Sequence, residues 1–109
     1  MASTQQVPIP SENEMLSDLY LALWEQLDLI SGEGKWLDIR PPDASDLAVQ
    51  AQRGMNELER RLSDTDALKQ VRNDFEHTQR LLSSKSAPAA FKDYLRDQGL
   101  RYAESAAEE

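Results

Sequence analysis

Apolar residues recur every three or four positions along most of the chain, which is the spacing of an amphipathic α-helix. In the first third of the sequence this stripe consists of Leu16, Leu19, Leu23, Leu27 and Ile30. Ser11 and Glu14 have the spacing of a capping box, in which each side chain hydrogen-bonds the backbone of the other residue. Two glycines follow the stripe and are suited to end a helix. The pattern predicts a first helix over residues 12–31.

Three further stripes with the same spacing predict helices over residues 44–62, 66–83 and 88–106. The apolar positions of the second helix are Leu47, Ala51, Met55, Leu58 and Leu62. Ahead of that helix, two consecutive prolines predict extended backbone, with Asp43 as the helix cap. The polar residues 63–65 predict either a break between the second and third helices or a kink in one long helix. Gly99 is expected to weaken the fourth helix by roughly 1 kcal/mol relative to alanine.

The predicted fold is all-α, since no segment shows the alternation of apolar and polar residues that is typical of strands. We expect a small antiparallel bundle of about four helices, with one long non-helical loop after the first helix. Helices 2 and 3, which are joined by a short link, should form an antiparallel hairpin that helices 1 and 4 complete. The same pattern predicts a flexible leader over residues 1–10, a single helical domain over residues 11–106 and a frayed acidic tail over residues 107–109.

The 109 residues carry a net charge of −8, and this charge is unevenly distributed. The first 34 residues contain no lysine or arginine, and their acids are Glu12, Glu14, Asp18, Glu25, Asp28 and Glu33. Such a region repels phosphate groups, so we expect no direct binding of nucleic acid and no binding to an anionic membrane. A protein partner with a basic surface is favoured. The alternative is that the acidity only keeps the chain in solution.

Composition and the first residues bear on where the protein works. The absence of cysteine excludes disulfides and thiolate-bound metals. The first six residues have neither the positive charge nor the apolar core of a signal peptide. The longest apolar run, Leu19–Trp24, is six residues and far shorter than a membrane span. A cytoplasmic protein without membrane contact is the expectation.

His77 is the single histidine, and with Asp74 it has the carboxylate-x-x-His spacing that places two metal ligands on one helical face. One histidine per chain cannot complete a two-metal site, although a symmetric dimer could. A phosphotransfer histidine is a further interpretation, but the residues after His77 lack the small side chain that would give a phosphate donor access. A surface or boundary histidine paired with Asp74 or Glu76 is the simplest interpretation.

No other set of residues has the pattern of a catalytic or cofactor-binding site. The serines lie outside a nucleophile-elbow motif, and the glycines at 32 and 34 are too close together to form a phosphate-binding loop. The acids of the first helix are expected to lie in water and not in a cleft that could raise their pKa values for acid catalysis. We therefore predict no catalytic residue, no cofactor and no metal, in a protein that is not an enzyme.

The strongest candidates for function are surfaces that could contact a partner. On helix 1, a line of residues beside the main apolar stripe mixes acids with leucine. This line and its neighbour Leu29 comprise Glu14, Asp18, Leu21, Glu25, Asp28 and Leu29. Three explanations remain open: helix 1 is central in the bundle, a partner or second copy covers the line, or the leucines are simply exposed.

The second candidate surface is the segment after helix 1. It places a large aromatic, two aliphatic side chains and a guanidinium close together, in Trp36, Leu37, Ile39 and Arg40. Tryptophan and arginine are enriched among the residues that dominate binding energies. The alternative is that Trp36 and Leu37 fold back and cap the open end of the bundle.

These observations predict a non-enzymatic protein–protein interaction module, such as an adaptor, a chaperone-like protein, an antitoxin or immunity factor, or a subunit of a helical assembly. It would bind a partner with a basic or helical surface through its own acidic, partly apolar helical surface, with helix 4 as the element most easily displaced to open a groove. The alternative is an acidic phage-type inhibitor that mimics nucleic acid and occupies a basic site on its target. A homodimer is a further option, since the narrow stripes of helices 2 and 3 could pair between chains.

Overall fold

The computed structural model describes residues 11–30, 41–62 and 65–109, with the backbone alone for residues 41–45. These residues form four helices: α1 (Glu12–Ile30), α2 (Pro41–Arg61), α3 (Asp66–Ser83) and α4 (Ala89–Ala107). No strand occurs in the described ranges, which confirms the all-α prediction. The predicted leader over residues 1–10 and most of the predicted loop after helix 1 lie outside these ranges.

Helices α1 and α3 begin at side-chain caps. At α1, the N–H of Ser11 donates to Glu14 Oε1 and the N–H of Glu14 donates to Ser11 Oγ, both at 3.1 Å, which is the predicted capping box. At α3, Thr65 Oγ1 accepts a hydrogen bond of 3.2 Å from the N–H of Leu68. Because α3 has its own cap, α2 and α3 are two separate helices and not one kinked helix.

The beginning of α2 differs from the prediction. The helix starts at Pro41, so the two prolines occupy its first turn and do not form an extended segment ahead of Asp43. The N–H groups of a first turn have no partner within the helix, so a residue without an N–H loses nothing there, and the fixed φ of proline suits a helix. These preferences outweigh the restriction that the second proline places on the residue before it.

Helix α1 lies at the centre of the bundle and packs against all three other helices. Its most extensive contact is with α4, followed by α2 and then α3. Helices α2 and α3, which the sequence predicts as a hairpin, do contact each other, but each of them packs more extensively against α1. Helix 1 is thus central, and Leu21 and Leu29 are half-buried, while the acids Glu14, Asp18 and Glu25 beside them remain exposed.

Polar contacts near both ends of α1 show that it runs antiparallel to α4. Near the C-terminal end of α1, Lys92 Nζ lies 2.8 Å from Asp28 Oδ1. Near its N-terminal end, Asn13 Nδ2 donates to Glu109 Oε2 at 2.7 Å. The two helices therefore lie side by side over almost their whole length.

The core contains the apolar stripes that the sequence predicts, with α1 as the largest contributor. The buried apolar residues are Met15, Leu16, Leu19, Tyr20, Leu23 and Leu27 of α1, Ala51, Met55 and Leu58 of α2, Leu68 and Val71 of α3, and Leu95 of α4. Ile30, which the predicted stripe included, is 41% exposed at the last position of its helix. None of the helices in the described part of the chain is long and apolar enough to cross a membrane.

A carboxylate, Asp74 of α3, lies within this core and is only 4% exposed. Its Oδ2 accepts hydrogen bonds of 2.6 Å from the hydroxyls of Tyr20 and Tyr94. Both of its oxygens also lie 3.2 Å from Gln70 Nε2. Burial, followed by the hydrogen bond to Asp74, raises the pKa of both tyrosines. The cluster joins α1, α3 and α4 through polar contacts.

Gly99 allows α4 to lie close to α1. A Cβ atom at this position would be 2.7 Å from both Cδ2 and Cγ of Leu21, well inside the distance at which carbon atoms pack. Beside it, Ser17 Oγ donates a hydrogen bond of 2.8 Å to the backbone carbonyl of Gly99. Gly99, which lowers the helix propensity of α4, is therefore the residue at which α4 and α1 come into close contact.

Candidate functional site

The described helices leave one face of α1 uncovered. Helices α2 and α4 lie against two sides of α1, and within the described ranges their backbones do not come into contact with each other. The uncovered face, which we call the open strip, consists of Glu14, Asp18, Leu21, Ala22 and Glu25. These positions follow a single line along the helix, because residues three or four apart share a face.

Between the open strip and α2 lies a groove of about 700 Å³. Its apolar lining comes from Met15, Leu19, Leu21, Ala22 and Leu47. Its polar lining comes from Asp18, Glu25, Gln50, Glu57 and Arg61. Gly54 completes the wall, and a Cβ built there would lie in ordinary contact with Leu19 Cδ1, at 3.7 Å. The absence of a side chain at Gly54 keeps the groove deep in its middle.

A second cavity, of about 400 Å³, lies on the other side of the open strip, against α4. Its lining residues are Glu14, Ser17, Asp18, Ala103, Ala106 and Ala107. Asp18 lines both cavities, so they adjoin each other at this residue. Together they form a trough along α1 with α2 and α4 as its two walls. The more buried apolar side chains, among them Leu19, Leu21 and Ala22, form its floor, and the exposed acids of the open strip lie along its edge.

The trough is predominantly acidic. Glu14, Asp18 and Glu25 of α1 line it together with Glu57 of α2, and Arg61 contributes the opposite charge at one end. Partial burial raises the pKa of Asp18, and the negative charge of Glu14, one turn away, raises it further. A carboxylate in such surroundings would be stabilised by a cation that came to lie beside it.

Ion pairs between the described residues leave two of these acids available. Among the ion pairs between described residues, Glu57 pairs with Arg60, and none involves Asp18 or Glu25. Arg61 directs its Nη1 towards Met15 Sδ, at 3.0 Å. The described part of the chain therefore leaves the charges of Asp18 and Glu25 open to a ligand that enters the trough.

The structure brings together most of the predicted line on helix 1. The members on the open strip are Glu14, Asp18, Leu21 and Glu25. Asp28 lies beyond the strip and pairs with Lys92 of α4, and Leu29 is half-buried near the end of the helix. The second predicted surface, Trp36, Leu37, Ile39 and Arg40, lies outside the described residues.

Sequence reasoning missed the contribution of α2. The stripe of helix 2 placed Leu47 among the inward positions, whereas this residue is half-buried and lines the groove. The signal that could have indicated the groove is Gly54. A glycine in the middle of a helix costs about 1 kcal/mol relative to alanine, so its presence often has a packing or functional reason.

His77 lies away from the trough. Its ring packs edge-on against Phe91 of α4 with 4.4 Å between ring centroids, and Arg80 Nη2 lies 3.5 Å from its Nδ1. The interpretation that paired His77 with Asp74 is replaced by these contacts, because the Asp74 carboxylate is held by tyrosines in the core. Among the described residues, no group of three or more His, Cys, Asp or Glu side chains could hold a metal ion.

No family model matches the chain, and no curated protein or solved structure is similar to it. The assignment of a function therefore depends on the geometry and the charge of the trough.

Proposed function

We propose that this chain is a non-enzymatic protein–protein interaction module that receives a partner in the trough along α1. The main support is that the apolar side chains of Leu21 and Leu47 lie beside the open charges of Asp18 and Glu25 in one accessible groove. An apolar floor with a polar rim is the composition of surfaces that bind protein segments. The partner is a protein with a basic or helical surface.

The shape of the trough favours a protein over a small molecule. Sites for small molecules are usually cavities that enclose most of the ligand. The trough instead runs along α1 from Met15 to Glu25, which corresponds to about 15 Å of helix. A small molecule would keep much of its surface in water there, whereas an elongated protein segment would cover the floor from end to end.

The charges favour a basic partner. The carboxylates of Asp18, Glu25 and Glu57 line the groove with Arg61 as the opposing cation. Charges at the rim of an interface mainly increase the rate of encounter and reject partners of the wrong sign. In this proposal the apolar floor supplies most of the affinity, and the acids select the partner.

Binding in the trough requires no displacement of α4. From the sequence alone, helix 4 is the element expected to move to expose a groove. In the structure α4 packs against α1 more extensively than any other helix does, and the open strip is accessible with α4 in place. An adaptor, a chaperone-like protein, an antitoxin or immunity factor and an assembly subunit can all use such a surface, and the identity of the partner decides among them.

The second candidate function is an inhibitor that mimics nucleic acid. The spaced carboxylates of Glu14, Asp18 and Glu25 favour it, because such a row of charges can stand for phosphates. The apolar Leu21 between them favours the first proposal. Salt distinguishes the two, since the affinity of a charge mimic falls steeply with ionic strength and that of an apolar groove does not.

A photoreactive amino acid placed in the trough tests the proposed function. The full chain carries it at Ala22 or at Leu47, and in a control at Asn73, an exposed position of α3. After irradiation in an extract of the host cells, we expect both trough positions to cross-link the same protein and the control position to leave it unlabelled. Equal cross-linking from Asn73, or no cross-linking from either trough position, contradicts the proposal.

A further inference from the structure

Helix α1 has helical neighbours on three sides, and the trough is its fourth side. The wall on α2 has no side chain at Gly54, and the wall on α4 is formed by the small side chains of Ala103, Ala106 and Ala107. Small residues on both walls leave room for a backbone to approach α1 closely. A helix lying there would contact three helices of this chain at once.

We infer that the occupant of the trough is a single amphipathic helix of a partner protein, with one apolar face and with lysine or arginine along the edges of that face. The inference rests on the proposed function and specifies its partner. It agrees with the general mode in which an amphipathic helix lays its apolar face into a groove of its receptor.

The positions of the acids define the spacing of the partner's basic residues. Asp18 and Glu25 are seven residues apart on α1, which places them two turns or about 10.5 Å apart along one edge of the groove. Glu57 lies on the facing wall, and its ion pair with Arg60 is exposed and therefore weak enough for a basic residue of the partner to replace it. The partner helix therefore carries two basic residues two turns apart on one edge and a third on the other edge. Its apolar residues lie between them, against Leu21 and Leu47.

The same charges argue against a second copy of this chain as the occupant. In a symmetric dimer, each surface meets the identical surface of the other protomer. The open strip would then face itself, and Asp18 and Glu25 would approach the same carboxylates of the second copy. Like charges brought together in this way oppose association, so the charge pattern selects a different, basic chain.

Synthetic peptides of about 18 residues, or five helical turns, test the inference against the full chain. The first peptide has leucine and alanine on one helical face and lysine along both edges. The second has the same residues in an order that removes the apolar face, and the third has glutamate in place of lysine. By fluorescence anisotropy, we expect the first peptide to bind about tenfold or more tightly than either of the others.

A variant that fills the groove locates the binding. Gly54→Leu adds a side chain in the middle of the groove and raises helix propensity, so we expect it to fold. Gln52→Leu adds the same side chain to an exposed position of the same helix, outside the groove, and is the matched control. The first peptide should lose about tenfold or more in affinity for Gly54→Leu and none for Gln52→Leu. Circular dichroism verifies that both variants are folded.

Three outcomes overturn the inference. Equal binding of the first and second peptides means that charge alone holds the ligand, and equal binding to Gly54→Leu and Gln52→Leu means that the helix lies elsewhere. A dimer in light scattering that Gly54→Leu dissociates would assign the trough to a second copy. If the first and second peptides bind equally, cross-links from Ala22 and Leu47 to a host protein would still support the proposed function. Failure of the helix inference can therefore be distinguished from failure of the proposed function.

Discussion

The hydroxyl of Tyr20 lies 2.6 Å from Oδ2 of Asp74, and this hydrogen bond joins α1 to α3 inside the core. Tyr94 donates to the same oxygen from α4, also at 2.6 Å. A buried carboxylate is stable in the core only where donors replace the water that it has lost. The cluster therefore fixes three helices relative to one another, and it does so on the side of α1 that the partner would not touch.

Replacing Asp74 with alanine should destabilise the fold. Asp74→Ala leaves the buried hydroxyl of Tyr20 without its acceptor, and we expect the free energy of unfolding to fall by about 2–4 kcal/mol. Asp74→Asn keeps an acceptor oxygen and should lose less. Urea unfolding followed by circular dichroism measures both variants. An alanine variant as stable as the parent chain would show that the cluster contributes little to stability.

The same cluster predicts a loss of stability at alkaline pH. The pKa of Tyr20 in the folded protein is raised above its ordinary value of 10.0, so the folded state keeps the phenolic proton after the unfolded state has begun to release it. The stabilisation is complete below pH 10 and declines above it by about 1.4 kcal/mol per pH unit. Urea unfolding between about pH 9 and pH 11 gives the slope. Tyr20→Phe should reduce it, and an unchanged slope in that variant would exclude Tyr20 as its source.

Gly99 should tolerate a side chain only if Leu21 is shortened. Helix propensity alone predicts that Gly99→Ala gains about 1 kcal/mol. The new Cβ would lie 2.7 Å from Leu21 Cγ and Cδ2, however, and overpacking of this kind costs about 1–3 kcal/mol. We expect Gly99→Ala to be destabilising in the parent chain and stabilising in the Leu21→Ala chain. A double-mutant cycle measures the difference, and additive effects of the two substitutions would contradict it.

The Asp18 carboxylate should lower the stability of the folded chain while it favours binding of a basic partner. Because its folded-state pKa is raised, its ionised form is less favourable in the folded than in the unfolded chain. Asp18→Asn should therefore raise the melting temperature at pH 7, and this gain should vanish as the pH falls below the ordinary pKa of 3.8, where both states are protonated. Glu76→Gln, at an exposed position of α3, controls for the loss of one charge. The same Asp18→Asn variant should bind the basic amphipathic peptide more weakly.

The helices could be predicted from the sequence because their causes are local. The capping box of Ser11 and Glu14 spans one turn, and the stripe from Leu16 to Leu27 is a repeat that a single helix defines by itself. The acids and Leu21 on helix 1 could be singled out in the same way, because an apolar residue in a line of acids departs from simple amphipathicity.

The arrangement of the helices could not be predicted because its causes lie far apart in the sequence. Tyr20 and Asp74 are 54 positions apart, and nothing near either residue indicates the other. Gly99 determines how closely α4 approaches α1, but helix propensity alone indicates only that this glycine destabilises α4. Gly54 stands out in the sequence as a glycine within a helix, but the wall that it forms with Glu57 is defined only when α2 is placed beside α1.

Because α1 is central, the core and the candidate binding surface share this helix: the core packs against one side of α1, and the open strip lies on the opposite side. A chain cut in the link between α2 and α3 would separate Leu68 and Leu95 from the helix that covers them, so neither fragment should hold a stable structure until it meets the other. A ligand bound to the outer face would stabilise α1, the helix against which the other three pack. We therefore expect binding to slow the exchange of backbone amide hydrogens in α3 and α4, at positions that the ligand does not contact.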